Sequence, residues 1–515
     1  MIKSYNIWLF GVLFLFSYTF SIAQPVNRAD DFGYDYNDYV DAVVGHNGAM
    51  IGFGRAMQEI DGVDRIGVLL TRYGPSNEVQ LQNFITDTAT TSAIINNFAV
   101  DYLYGGLIPT GDDGYLFNAV TSRNNSIIVK LNRYLQEEFR YEYQDSNAIS
   151  NFTVVEPIEL EGGYLLYGTA KALDGSGAPY ARRINKVGET QWVQYYGEES
   201  ATEIVQDGTM QGDSILVISC TKSEQFYNII YKINVTDGTL QSEWASEVYP
   251  ETGLIRQIVA LEDGSLITFG EVFEEYYPDG WLFSMVQSVI ARLSPVNSVQ
   301  WANPAGPPHL FGNGQEGSRE LKLVSDGNIV SAGEHSTWAG GSKKLAGWLF
   351  KFTPEGDTLW SRYYLPPFDL SGENVSGQFG RFGELPTGDL IVGGKSRGDG
   401  RRNCWLVRTD AEGCPSLDSC AYVVTSEEWA PSPAEPEVTV FPNPASRHLT
   451  VAWPGAVPTG TGHFTLYNLQ GQPVWSVIKP SAPEVPLQLP ELPPGMYALR
   501  VEAEGQVWVE RVVIQ

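Results

Sequence analysis

The feature that most constrains this chain is a short pattern that recurs seven times. It is a Gly-containing turn, four or five β-forming residues, then a small residue. The copies are Asn47-Gly48 to Gly54, Asp112-Asp113-Gly114 to Ala119, Glu161-Gly162-Gly163 to Gly168, and Gly212-Asp213 to Ser219. Asp263-Gly264 to Gly270, Asp326-Gly327 to Gly333 and Thr387-Gly388 to Gly394 follow. The closing small residues stand 65, 49, 51, 51, 63 and 61 positions apart. A second element follows most copies: an apolar run ending in a basic residue, with an aromatic nine positions on. The pairs are Lys130/Phe139, Arg183/Trp192, Arg292/Trp301 and Lys351/Trp360. Lys232 and Trp244 fit with a longer turn, Arg408 lacks the aromatic, and in the first copy Thr71 takes the basic position.

Asp-Gly and Gly-Gly supply the positive φ that a tight hairpin needs. Runs such as Leu165-Leu166-Tyr167 are strand-length, not helix-length. The closing Gly lets another backbone approach, as in a crowded strand near an axis. About 50 residues hold four short strands, and one such sheet cannot bury both faces alone. Radial stacking solves this, so the expected fold is all-β, a β-propeller of about seven four-stranded blades over residues 24–424. A linear β-solenoid is the rival. The segment Ala421-Tyr422-Val423-Val424, or residues 34–45, is expected to close the ring. The unit lacks the tryptophan–aspartate dipeptide and the 40–45-residue period of those repeats. It resembles the Asp-Gly-Gly-Tyr repeats of secreted bacterial propeller proteins.

Composition narrows the function classes. The net charge is −28, with acids outnumbering bases 61 to 33, which argues against a nucleic-acid partner. Residues 1–23 read as a signal peptide: Lys3, an apolar run from Ile7 to Phe16, then Ser21-Ile22-Ala23. No later stretch is apolar enough to span a membrane. Of four cysteines, Cys414 and Cys420 would close a short loop as a disulfide in an oxidising compartment. A zinc site among the cysteines is disfavoured, since no His lies near them.

Residues 425–437 hold three Pro and four Glu and form an acidic, extended linker. Beyond it, residues 438–515 carry seven short alternating strands, the pattern of an Ig-like β-sandwich. Here the residues match a family. Val440-Phe441-Pro442-Asn443-Pro444-Ala445 opens the segment, Leu466-Tyr467-Asn468-Leu469-Gln470-Gly471 stands in the middle, and Leu492-Pro493-Pro494-Gly495-Met496-Tyr497 follows. This resembles the type A C-terminal sorting domain of type IX secretion cargo, carried by Pro442, Asn443, Pro444, Tyr467, Gly471, Gly495 and Tyr497. The resemblance implies export through the periplasm of a Gram-negative cell. It implies recognition of residues 438–515 by the type IX translocon and a C-terminal signal peptidase, with cleavage in or near residues 425–437. The product would be secreted or held at the outer cell surface.

Catalytic chemistry is not indicated. The five His (His46, His309, His335, His448 and His463) are scattered without metal-binding spacing, and no nucleophile elbow or phosphate loop occurs. No catalytic residue, metal or cofactor is expected. The acids Asp30, Asp31, Asp35, Asp38 and Asp41 read as an exposed acidic stretch, with a calcium site as the rival. Glu137-Glu138 and Glu274-Glu275 read as solvated hairpin residues. The once-per-repeat tryptophans read as packing between blades. Aromatics off the repeat (Tyr276, Tyr277, Trp281, Trp338) lie in longer insertions and are the candidate ligand face. The expected role is non-catalytic binding of a surface glycan or protein. A secreted enzyme acting on polysaccharide, or a structural module of a surface assembly, are the alternatives.

Overall fold

The computed structural model describes residues 26–415 and 438–514, apart from short stretches within those spans. The leader 1–23, residues 421–424 and the linker 425–437 lie outside the described residues. The chain divides into two compact units, Met1–Trp429 and Ala430–Gln515. Among the described residues every regular element is a strand.

Among the described residues the first unit is a propeller of seven antiparallel blades, six of four strands and the second of five. Blade 1 is Tyr36–Val44, Met50–Ile60, Val63–Tyr73 and Val79–Ile85. In blade 2 the innermost position is divided between Phe98–Ala99 and Leu107–Pro109, followed by Tyr115–Thr121, Ser126–Leu131 and Glu137–Glu142. Blade 3 runs Ile149–Leu160, Gly163–Ala172, Gly177–Asn185 and Thr190–Tyr195; blade 4 runs Glu203–Gln211, Ile215–Lys222, Tyr227–Asn234 and Leu240–Ala245. Blade 5 runs Leu254–Ala260, Leu266–Tyr276, Phe283–Leu293 and Val299–Pro304; blade 6 runs Glu316–Leu323, Ile329–Ala339, Ser342–Phe352 and Thr358–Tyr364. Blade 7 takes three strands from Ser376–Glu384, Leu390–Gly398 and Arg401–Thr409.

Its fourth strand comes from the other end of the unit. Val26–Asp30 pairs antiparallel with Arg401–Thr409, Val26 opposite Arg408 and Asp30 opposite Cys404. The expected seam is thereby corrected. Residues 36–44 are the innermost strand of blade 1, and the ring closes through the strand just before them.

The repeated sequence pattern is now a set of contacts. The nine-residue spacing is the register of the outer hairpin: Lys130 faces Phe139, Arg183 faces Trp192, Arg292 faces Trp301 and Lys351 faces Trp360. In blade 4 the longer turn shifts this register, and Trp244 faces Ile230 instead. Blade 1 corrects the first copy. Arg72, not Thr71, occupies the basic position, because it faces Ile51 on the second strand as Arg292 faces Ile267. The basic residue ties the inner turn to the outer strands. Arg292 pairs with Asp263 at 2.7 Å, Lys351 with Asp326 at 2.7 Å and Arg408 with Asp389 at 2.8 Å.

The same group clasps the next blade. Arg72 donates to the Arg133 carbonyl at 3.2 Å, Arg183 to Val235 at 3.0 Å and Lys232 to Pro295 at 2.9 Å. Arg292 donates to Pro354 at 3.3 Å and Lys351 to Ala411 at 3.4 Å. Apolar side chains of neighbouring blades share buried clusters between the sheets. In one of them Trp348 and Phe350 of blade 6 meet Phe269 and Ile290 of blade 5.

The second unit is a sandwich of two antiparallel sheets. Thr439–Phe441, His448–Ala452 and Glu484–Gln488 form one; Pro473–Pro480, Thr461–Tyr467, Gly495–Ala503 and Gln506–Ile514 form the other. Both sheets bury residues in a single core, Leu449, Val451 and Leu487 from the first with Phe464, Leu499 and Val512 from the second.

Candidate functional site in the propeller centre

Among the described residues, six of the seven blades carry a register shift within the innermost strand. The shifts fall at Tyr39/Asp41, Val154/Pro157, Val205/Asp207, Ile255/Gln257, Ser318/Glu320 and Phe379/Phe382. An extra residue bends the strand and re-aims its side chains. The bulge sits opposite the small residue that closes each repeat: Ile255 faces Gly270, Ser318 faces Gly333 and Phe379 faces Gly394. A Cβ on Gly333 would lie 1.8 Å from the Gly317 carbonyl oxygen, so the small residue is a steric requirement of the bulge.

The bulges gather charge at the centre. Asp41 comes from blade 1, Glu156 from blade 3, Asp207 from blade 4, Glu320 and Lys322 from blade 6, and Arg381 from blade 7. Arg381 reaches across the ring to Glu156 at 3.1 Å and donates to the Val155 carbonyl at 3.4 Å. Blade 2 leaves room for this. Its corresponding residue is Gly106, where a Cβ would stand 2.6 Å from the Arg381 guanidinium and 2.8 Å from Glu156. Lys322 pairs with Glu320 at 2.6 Å and donates to the Phe382 carbonyl at 3.0 Å.

Three carboxylates also accept a backbone N–H from the next blade. Leu107 N–H donates to Asp41 at 3.1 Å, Ile258 N–H to Asp207 at 2.9 Å and Phe382 N–H to Glu320 at 3.2 Å. These are donors on the open inner edge of each sheet, where no further strand can pair. The acids therefore join blades as well as charge the centre.

Burial perturbs this cluster. It raises the Asp41 carboxyl to about 7, helped by the negative Glu320 and opposed by Arg381 and Lys322. Burial also raises Asp207 to about 7, although the Ile258 N–H and the Arg381 charge pull the other way. Glu320 is raised by burial too, against Lys322. Burial disfavours the charge on Lys322, but Glu320, Glu156 and Asp41 outweigh it and hold the ammonium above its usual range. Acids near 7 beside fixed cations have the composition of a proton-transfer site.

A cavity of about 270 Å³ opens among these residues, lined by Glu156, Asp207, Gln257, Arg319, Glu320 and Arg381. It is just under the ~300 Å³ at which ligand pockets commonly begin, enough for one small polar group. Among the described residues no set of three or more His, Cys, Asp or Glu is placed to hold a metal ion.

Tyr276 and Trp338, expected from sequence on the ligand face, are not among the residues that line this cavity. Tyr276 ends the second strand of blade 5 opposite Phe283. Trp338 is within the second strand of blade 6, opposite Lys343, and not on a loop. Tyr277 and Trp281 lie outside the described residues. Asp41, read from sequence as part of an exposed acidic stretch, is 1% exposed at the ring centre. The central residues had a signal. A polar residue stands 12 or 13 positions before most closing small residues, as Asp41 before Gly54, Gln257 before Gly270, Glu320 before Gly333 and Arg381 before Gly394.

In the second unit the motif residues act as corners of the sandwich. Ala445, just after Pro442 and Pro444, donates to the Val513 carbonyl at 2.7 Å. Tyr497 is buried and donates to the Pro493 carbonyl at 2.8 Å. Gly495 faces Ile514 and Tyr467 faces Ala498. Asn443 and Gly471 lie outside the described residues. Cys414 is disulfide-bonded, Cys220 and Cys404 are free and buried, and Cys420 lies outside the described residues.

Residues 439–515 match the family described as the secretion system C-terminal sorting domain. The chain thus ends in a type IX secretion sorting domain, preceded by the β-repeat region. Such a tail implies handling by the type IX machinery and delivery to the cell surface or extracellular space. No helix among the described residues is long and apolar enough to cross a membrane. No curated protein matches the chain significantly. Among solved structures it is similar to the hydrazine synthase of Kuenenia stuttgartiensis, at 10% identity and TM-score 0.35, over 61% of this chain and 80% of that one. It is also similar to an α-L-arabinofuranosidase from Fusarium graminearum, at 10% identity and TM-score 0.38, over 75% and 97%. A third is the WD40 domain of SCAP from fission yeast, at 8% identity and TM-score 0.33, over 75% and 98%.

Proposed function

We propose that this is an exported, non-catalytic binding protein whose propeller presents a small polar cavity to a surface or secreted glycan. The signal peptide 1–23 takes the chain to the periplasm of a Gram-negative cell. Residues 438–515 engage the type IX translocon, and a C-terminal signal peptidase cuts in or near residues 425–437. The propeller, residues 24–424, is the delivered cargo.

The observation that carries the binding reading is how the central acids are engaged. Asp41, Asp207 and Glu320 each accept a backbone N–H from the next blade, and Glu320 and Glu156 are ion-paired as well. A general acid must be free to give its proton to substrate. Carboxylates that cement the ring are poor candidates for that work. The cavity between them still offers the donors and acceptors of Arg319, Arg381 and Gln257, which suit hydroxyl-rich ligands.

The shifted acids favour a second reading, a propeller enzyme acting on polysaccharide. Asp207 lines the cavity with its carboxyl raised to about 7. An array of glycans probed with the purified propeller separates the two. Binding reads as retention of intact glycan, and retention should weaken in Arg319→Ala. Appearance of new reducing ends, lost in Asp207→Asn, would replace binding with hydrolysis. Export has its own test: deleting residues 438–515 should hold the protein in the periplasm, and its normal appearance outside the cell would refute the route.

A further inference from the structure

A second cavity lies away from the centre, between blades 2 and 3. It has a volume of about 660 Å³ and is lined by Asp112, Lys130, Glu138, Phe139, Tyr164 and Lys186, with Val187 at its edge. The inter-blade clasp changes at this junction. Five basic residues of the repeat reach the turn carbonyl of the following blade. Lys130 instead directs its donors to its own blade: to Asp112 at 3.1 Å, to Glu138 at 3.0 Å and to the Leu131 carbonyl at 3.0 Å. Glu138 is the local cause. It stands where other blades carry Gln191, Gln300 and Leu359, and it adds an acid that holds the ammonium home.

Tyr164 is fully buried, and its hydroxyl meets no hydrogen-bond partner among the described residues. Lys186 places its ammonium over the Tyr164 ring, 4.6 Å from the centroid, and pairs with Glu159. The site thus already houses two primary ammonium groups of its own chain. In the lining two acids, Asp112 and Glu138, balance two bases, Lys130 and Lys186; moving Lys186 off the ring leaves the acids, with its partner Glu159, in excess beside an aromatic face. That combination attracts a primary ammonium by charge and by the ring quadrupole.

We propose that the junction of blades 2 and 3 is a second binding site, for a ligand bearing a primary ammonium, which displaces Lys186 from the Tyr164 ring. The ammonium comes either from a lysine side chain of a peptide or from an amino sugar. The site is independent of the central cavity.

The test is calorimetric titration of the full-length protein with butylamine, with butanol as its neutral isostere. Nα-acetyl-lysine methylamide and glucosamine distinguish the two sources, with glucose as the control for the second. Butylamine should bind and butanol should not, with affinity falling as salt rises. Removing the internal competitor should tighten binding: Lys186→Met is expected to gain about two- to fivefold, the factor that a surface cation–π contact represents. Glu138→Gln, a partly exposed position, should weaken butylamine about threefold or more, as expected for losing one charge near the ligand. Equal binding of butanol, no heat with any amine, or unchanged affinity in Lys186→Met would overturn the proposal.

Discussion

Asp41→Asn tests the physics of the ring centre directly. Asp41 is 1% exposed, and its carboxyl is raised from 3.8 to about 7 chiefly by burial. A raised carboxyl means that the fold prefers the neutral form. Its stabilising contribution is therefore complete below the unfolded value near 4 and is lost as pH climbs through about 7. The rise from 3.8 to about 7 corresponds to about 4 kcal/mol of preference for the neutral carboxyl. The shift is shared with Glu320, so we expect about 2–4 kcal/mol from Asp41 itself. Asparagine keeps an oxygen that can accept the Leu107 N–H, now 3.1 Å from Asp41, and it carries no charge. Urea unfolding at pH 4, 6 and 8 is the assay. The variant should match the wild type at pH 4 and exceed it by about 2–4 kcal/mol at pH 8. A variant less stable than wild type at pH 8, or a difference constant across pH, would falsify the reasoning.

Other outcomes follow from the same contacts. Deleting residues 26–30 removes the fourth strand of blade 7 and should lower Tm by about 10 °C or more, on the scale where ~1 kcal/mol moves a large domain ~2–4 °C; an unchanged melt would mean that the ring does not close there. Gly333→Ala places a Cβ 1.8 Å from the Gly317 oxygen and should cost about 3 kcal/mol or more in chemical denaturation. Arg292→Ala breaks the pair with Asp263 and the clasp to Pro354, both partly exposed, and should cost only about 1 kcal/mol. The Asp112 carboxyl is raised by burial but is brought down to about 2 by bonds from Thr110, Lys130 and the Gly114 N–H. Its contribution is present above the unfolded value near 4 and is lost as pH falls toward 2, so Asp112→Asn should flatten the acid limb of the stability curve.

Much of the architecture was legible in the sequence because it repeats. The Asp-Gly turns, the basic residue and the aromatic nine positions on are local patterns, and each maps onto one hairpin register. The first copy was misread by one residue because blade 1 lacks both the Asp of the turn and the aromatic, leaving no anchor to choose Arg72 over Thr71. The seam was misplaced because pairing Val26–Asp30 with Arg401–Thr409 is a contact across nearly the whole unit, which no local pattern encodes. The centre was missed for a related reason. Asp41, Glu156, Asp207, Glu320 and Arg381 are lone polar residues in separate repeats, and only closure of the ring brings Arg381 to Glu156. Acid content near the N-terminus suggested exposure, whereas the bulge after Tyr39 turns Asp41 inward. The sorting segment was readable residue by residue, since its motifs mark the corners of the sandwich.

The most direct test of the proposed role is one experiment on the purified propeller with a library of polysaccharides. Bound glycans are recovered and their chain lengths measured beside those of the input, for the wild type and for Asp207→Asn. The binding role predicts retained glycans of unchanged length from both proteins. Shortened chains released by the wild type and absent with Asp207→Asn would contradict it, and would make the carboxyl at the cavity wall a catalyst.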